Sequence, residues 1–340
     1  MKNLERIVRK FNKAKVLVIG DLILDEYIIG NVERISPEAP VPIVWANKST
    51  FVPGGAANVA YNIRSLGGNV SLAGVIGRDE KAASLVAQLR KNKIRTNGIF
   101  SEAGRPTTLK TRIIAGHQQV VRVDWEHTRS LSAALNRKII DFVKKSIKNF
   151  DSLIIEDYGK GVVNAQLLKE ITALATGAKK IIIVDPKEDH FQFYRGVTAI
   201  TPNRKELENA VRNLKIKDRS NSFRADNDRL STARDINRAA KEIINYLGLE
   251  SLLVTLGEEG MLLLEKKSNK SIHIPTMAQE VYDVSGAGDT VVSVFSLALA
   301  CGAGKQEAAY LANLAAGIVV GKLGTATASR SELLTAIKAK

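Results

Sequence analysis

Two glycine-flanked segments carry the residue types best suited to chemistry. The first, YDVSGAGDTVVSVFSLALACG at 282–302, sets Gly286 and Gly288 around Ala287 just before a long apolar run, with Asp289 in the first turn of the helix that follows. Glycines there let a ligand approach the backbone closely, and the free N–H groups of a helix start stabilise negative charge. Transfer of a phosphoryl group builds charge on its oxygens, so such a place suits it, and an adjacent carboxylate can take the proton from an attacking hydroxyl. A tight turn whose aspartate merely caps a helix would read the same way. The second segment, PGGAANVAYNIRSLGG at 53–68, puts Gly54 and Gly55 ahead of a small-residue helix that carries Asn58. Its glycines permit close backbone approach, and Asn58 offers both a donor and an acceptor. A glycine-rich turn into a packing helix is the plainer alternative.

These segments need elements to hold them. KVLVIG at 15–20, NVSLAGVIG at 69–77, SLIIED at 152–157, KIIIVDP at 180–186 and SLLVTLG at 251–257 are near-continuously apolar, as strands covered on both faces are. Amphipathic stretches at 55–67, 79–91 and near 164–175 alternate with them. That rhythm predicts an α/β, doubly wound, mainly parallel sheet. The charged start, MKNLERIVRKFNKAK, predicts a short helix feeding the first strand and lacks the pattern of a secretory signal. Residues 21–52 and 106–125 instead alternate polar with apolar positions, the latter around a turn at Ala115–Gly116. They predict antiparallel β-segments packed together as a small lid over the strand ends. The polar stretch 212–233 predicts a long exposed connection, in part disordered. All of this fits within one domain over residues 1–340.

Composition narrows the class. Hydrophobic residues make up 45% and charged residues 25%, an ordinary globular balance. No uninterrupted apolar stretch of about 18 residues exists, so no membrane partner is expected. The single Cys301 has no partner in its own chain, which favours a cytoplasmic setting. Four scattered histidines show no ligand spacing. The net charge of +15 and pI of about 9.8 raise nucleic-acid binding, but the basic residues run from end to end without an aromatic-interleaved patch. A lysine-rich solvated surface explains them, and no nucleic-acid partner is expected.

With IGDLILDEY at 19–27 and TPNRKELE at 201–208, the two glycine segments resemble the ribokinase-like (PfkB) sugar kinases, in order and over nearly the whole chain. Within them, RISPEAPVPIV (34–44), EDYGKGVV (156–163) and DPKEDHFQFYRGVTAITPNRKE (185–206) are most similar to the D-glycero-D-manno-heptose 7-phosphate kinases. The resemblance implies a ribokinase-like fold and an ATP-dependent kinase that phosphorylates the anomeric hydroxyl of that sugar phosphate to the 1,7-bisphosphate, in the synthesis of ADP-heptose for lipopolysaccharide core. Asp289 would be the base, and the backbone N–H groups of Gly286, Ala287 and Gly288 the anion hole. Asp25 and Asn58, beside Gly54 and Gly55, would hold sugar hydroxyls. Asn203 and Glu206 match the Asn-x-x-Glu motif tied to Mg²⁺ and phosphate, with Glu206 as the metal carboxylate; a capping box gives the same spacing. Thr255 and Gly257 would flank the adenine.

The substrate's phosphate needs cations: Arg34, Lys110, Arg112, and above all Lys160 between Gly159 and Gly161. Asp157 would meet either sugar or metal. A homodimer formed through the lid is implied, and a monovalent-ion requirement stays open. Many such kinases are fused to a C-terminal nucleotidyltransferase with a His-x-Gly-His signature. This sequence has none and stops at Lys340, so a stand-alone kinase is expected. The alternatives are a PfkB kinase for fructose 1-phosphate or ribose, against which the RISPEAPVP and DYGKG strings speak, and an inactive regulatory relative, against which Asp289 and Glu206 speak.

Overall fold

The computed structural model describes residues 2–116, 118–218, 222–224, 229–268, 271–278 and 280–339. Thirteen strands are formed among them: β1 Lys15–Gly20, β2 Leu22–Ile35, β3 Pro42–Gly55, β4 Asn69–Ile76, β5 Arg95–Ser101, β6 Thr108–Ala115, β7 Gln118–Trp125, β8 Ser152–Glu156, β9 Ile181–Asp185, β10 Ala199–Ile200, β11 Ser251–Thr255, β12 Met261–Glu265 and β13 Ser271–Ile274. The α-helices are α1 Lys2–Arg9, α2 Ala56–Ser65, α3 Glu80–Lys91, α4 Ala133–Ser146, α5 Ala165–Gly177, α6 Arg204–Lys217, α7 Ala233–Leu247, α8 Ala287–Ala300, α9 Lys305–Val320 and α10 Arg330–Lys338.

The main sheet runs β13-β12-β11-β10-β9-β8-β1-β4-β5. Every pairing from β11 to β5 is parallel, while β12 pairs antiparallel with both β11 and β13 and is the one strand of this sheet that runs against the rest. The all-apolar strands lie where the sequence places them, because helices on both faces remove both of their faces from water. Each face carries its own buried cluster, one built on Phe295, Ile63 and Leu72 and the other on Tyr194, Phe191 and Leu17. The chain reverses its winding at β1, which pairs with β8 on one side and β4 on the other. Open sheets of this kind bind ligands beyond the carboxyl ends of the strands at such a point. No helix among the described residues is long and apolar enough to cross a membrane.

The lid is a separate four-stranded sheet, β3-β2-β6-β7. Each hairpin is antiparallel, and the two join through parallel pairing of β2 with β6, which sets Asp25 opposite Lys110 and Tyr27 opposite Arg112. One expectation needs correction. Residues 212–217 are not a loop but the end of α6, whose buried Val211 and Leu214 extend the helical spacing, and Ala233 already begins α7. Between them, Phe223 and Leu230 are buried anchors. Within that stretch, 219–221 and 225–228 lie outside the described residues.

Candidate active site

The first turn of α8 is built as the glycines suggested. Gly286 takes a left-handed conformation (φ 79°) as its N-cap, where a side chain would press on Asn58 and Thr325. The Ala287 amide is used internally, donating to the Val284 carbonyl at 3.2 Å. The amides of Gly286 and Gly288 have no acceptor among the described residues, and the space beside Gly288 is open. A concentrated N-terminal positive end is therefore left free, though from two of the three amides first expected.

Asp289 sits in that turn, 5% exposed. Asn58 Nδ2 donates to its Oδ2 at 2.6 Å and the Tyr158 hydroxyl to its Oδ1 at 3.2 Å. Burial pushes its carboxyl up to about 6, against the lowering pull of those two hydrogen bonds. A carboxyl so placed is ionised near neutrality yet basic enough to accept a proton. Asn58 is itself fixed: Asn62 donates to its backbone oxygen at 3.1 Å, and Thr290 donates to Asn62 at 2.9 Å. The amide expected to hold sugar hydroxyls thus spends its Nδ2 on the aspartate.

Two acids that sequence reasoning passed over complete the centre. Glu156 ends β8, Asp185 ends β9, and their oxygens lie within 4.8 Å of each other and of Asp289. Neither oxygen of the fully buried Glu156 receives a hydrogen bond from a donor among the described residues. Asp185 Oδ1 accepts from Thr201 at 2.8 Å. Burial raises both carboxyls well above the usual range, helped at Glu156 by the charges of Asp185 and Asp289 and at Asp185 by those of Glu206 and Asp289. Three crowded, buried acids, one of them without a donor on either oxygen, suit a hard divalent cation such as Mg²⁺. Glu206 stands next to this pair and adds to the repulsion on Asp185, and burial raises its own carboxyl. It also closes a capping box with Asn203, at 2.8 and 2.9 Å. Asn203 bridges to Thr255, which with Gly257, Ala287, Gly288 and Asn313 lines a cavity of about 450 Å³.

On the lid side, Asp25 Oδ1 accepts from Arg112 at 2.6 Å, and Gly54 lacks the Cβ that would strike the Asp25 carboxylate. Gly55 turns the chain with φ 54° under the Asp21 carbonyl. Lys110 Nζ stands 5.2 Å from the centre of the Tyr158 ring. Lys160 Nζ meets Glu126 Oε1 at 2.7 Å. The loop carrying Tyr158 and Lys160 is held by Asp21, whose buried carboxylate accepts the amides of Tyr158, Lys160 and Val162 at 2.9, 3.0 and 3.1 Å.

Two residues stand apart. Asp157 faces away from the three-acid cluster and accepts from the Gly159 amide, His190 Nδ1 and the Tyr194 hydroxyl at 2.9, 2.8 and 2.7 Å. Arg34 is exposed in the outer part of β2, nine residues and about 30 Å of extended strand beyond Asp25.

The pfkB family carbohydrate kinase profile matches residues 13–332. The bifunctional protein HldE of Geotalea uraniireducens is 41% identical over 336 residues, 99% of this chain and 65% of that protein. Its namesake in Haemophilus influenzae strain PittEE is 42% identical over 331 residues, 97% and 65%. The chain therefore spans just under two thirds of the length of these curated relatives. Phosphofructokinase-2 from Escherichia coli in complex with potassium superposes with a TM-score of 0.74 at 20% identity, covering 96% of this chain and 98% of that one. Arabidopsis thaliana ribokinase complexed with ribose and ATP does so with 0.71 at 18%, covering 96% and 99%. At such identities these structures share the fold.

Proposed function

The chain belongs to the pfkB family of carbohydrate kinases, and from that premise we propose that it transfers the γ-phosphoryl group of ATP to the anomeric hydroxyl of D-glycero-D-manno-heptose 7-phosphate. One observation carries the choice of a phosphorylated sugar. The ring of Tyr158 has its hydroxyl on Asp289 and its face beneath Lys110, which has no carboxylate within ion-pair distance among the described residues. A base and an anion-seeking ammonium thus flank one side chain. The heptose itself rests on the long segments 34–44, 156–163 and 185–206 and on relatives of about 41% identity.

Asp289 removes the hydroxyl proton while the sugar oxygen bonds to the γ-phosphorus and the bond to the ADP oxygen breaks; the proton stays on Asp289. The free amides of Gly286 and Gly288 face the charge that develops. Glu156 and Asp185, with Glu206 nearby, would hold Mg²⁺, which supplies charge neutralisation for the nucleotide phosphates. The largely apolar cavity at Thr255 and Gly257 takes the adenine. Asp25, held by Arg112, binds sugar hydroxyls. Lys110 and Lys160 hold the sugar's phosphate, and their distance from the base sets the anomeric hydroxyl in line.

The lid pairs with that of a second copy. It exposes Ile35, Val41, Trp45, Val121 and Trp125, with both tryptophans more than 60% exposed, a surface that isolated monomers avoid. The test of substrate is a panel of sugar 7-, 6- and 1-phosphates and free sugars with ATP, reading ADP release. The heptose 7-phosphate should give the highest kcat/KM. Fructose, ribose or fructose 1-phosphate outperforming it overturns the substrate and leaves only the kinase.

A further inference from the structure

Glu126 directly follows β7, two residues past Asp124, which opposes Lys110 across the lid. Its Oε1 lies 2.7 Å from Lys160 Nζ, and both side chains are largely buried (24% and 16% exposed). Its Oε2 is also buried and receives no hydrogen bond from the described residues. A carboxylate satisfied on one oxygen only is a poor match for its pocket, because a buried acceptor without a donor costs what water gave it. Lys110 is in the complementary state. Burial, and then the nearness of Lys160, lowers its ammonium's affinity for the proton against the pull of Asp25 and Asp124, and no carboxylate among the described residues lies within ion-pair distance of it. Two ammonium groups therefore act on each other, and among the described residues only Lys160 has an ion pair, to one oxygen of Glu126.

We infer that Glu126 is a specificity gate: its carboxylate occupies the position on Lys160 that a phosphate monoester dianion takes, and the substrate's phosphate must displace it. A phosphate brings three oxygens and about two charges, enough to meet Lys110 and Lys160 together, whereas Glu126 meets one. A neutral sugar cannot dislodge the carboxylate and finds the site closed. The gate rests on the proposed phosphorylated substrate, but it can be tested without any sugar.

Inorganic phosphate is titrated calorimetrically into the full chain, with a non-hydrolysable ATP analogue filling the nucleotide side. Glu126→Gln should bind it about tenfold more tightly than the wild type, and Glu126→Ala at least as tightly. KM for the preferred sugar phosphate should fall by a similar factor, read separately from kcat. The gain should vanish in the double variant Glu126→Gln with Lys160→Met. Unchanged or weaker phosphate binding in both single variants, or a gain that survives without Lys160, overturns the gate. If the wild type prefers another phosphorylated sugar to the heptose 7-phosphate while Glu126→Gln still gains phosphate through Lys160, the substrate reading falls and the gate stands; a wild type that prefers a neutral sugar overturns both. If the wild type prefers the phosphorylated sugar and neither variant gains, the reverse holds.

Discussion

Asp289→Asn should inactivate the protein and stabilise it, and both effects follow from one environment. The Asp289 carboxyl is 5% exposed and lifted to about 6, where an unfolded chain would leave it near 3.8. A raised folded value means that the protonated form favours folding. That stability is fully present below pH 3.8 and is lost as pH rises through 6. The difference, about 2.2 pH units, corresponds to about 3 kcal/mol of folding free energy withheld at pH 7. Asparagine has no charge to desolvate, and the Tyr158 hydroxyl can turn from donor to acceptor to meet its amide. Relaxation around Glu156 and Asp185 reduces the gain, so about 1–3 kcal/mol is expected at pH 7, shrinking towards zero by pH 4. Loss of the base should lower kcat by about 10²–10⁴ with substrate binding nearly intact. Chemical denaturation at pH 7 and pH 4, with ADP release alongside, measures both. A variant less stable at pH 7, a gain independent of pH, or near wild-type turnover would each refute the reasoning.

The same carboxyl predicts that wild-type kcat/KM falls below about pH 6, roughly tenfold by pH 5, and that Asn58→Leu moves this limb upwards by removing a hydrogen bond to the charged form; a limb near pH 4 contradicts it. Millimolar MgCl₂ should raise the melting temperature of the wild type, while Glu156→Gln should melt higher without Mg²⁺ and respond less to it, in a thermal-shift assay. Trp45→Glu or Trp125→Glu should turn a dimer into a monomer at micromolar concentration by light scattering, and a wild type that is already monomeric removes the lid interface. Asp21→Asn should cost more stability at pH 4 than at pH 7 in denaturant unfolding, because the amide loses acceptors for the three backbone N–H groups at either pH, while at pH 7 it also removes a buried charge whose burial lifts the Asp21 carboxyl to about 6; a cost independent of pH contradicts this.

The fold was legible wherever burial on two faces left a mark. KVLVIG, SLIIE and IIIVD are strands because only a sheet covered on both sides tolerates such runs, and each was found within a residue or two. The lid was legible from alternation, which a one-sided sheet requires. What escaped was weaker in pattern. β10 has two residues, too few for any period. The end of α6 was hidden by its charges, since NLKIK shows lysines to the reader and only Leu214 to the core. Phe223 and Leu230 are single anchors, and periodicity cannot flag an isolated residue.

The site was legible where chemistry forced an unusual residue and obscure where a face had to be chosen. GAGD before an apolar helix reads equally as a plain helix cap, and Asp289 was singled out because the second glycine segment and TPNRKELE accompany it in order. The string IIEDYGK offers two adjacent acids, and the reading settled on the second. Neighbouring residues at a strand end point to opposite sides, so a shift of one position exchanges the cluster for the scaffold. Glu156 enters the acid cluster, Asp157 turns back to His190 and Tyr194, and Tyr158 returns to Asp289. The register that decides this is set by β1 and β9, where Gly20 and Asp185 each pair with Glu156. Two strands with apolar runs, LII and IIIV, ending in an acid at the same level of a parallel sheet were the available signal. An acid there gains nothing from packing and so has to be explained by what lies beyond the strand ends.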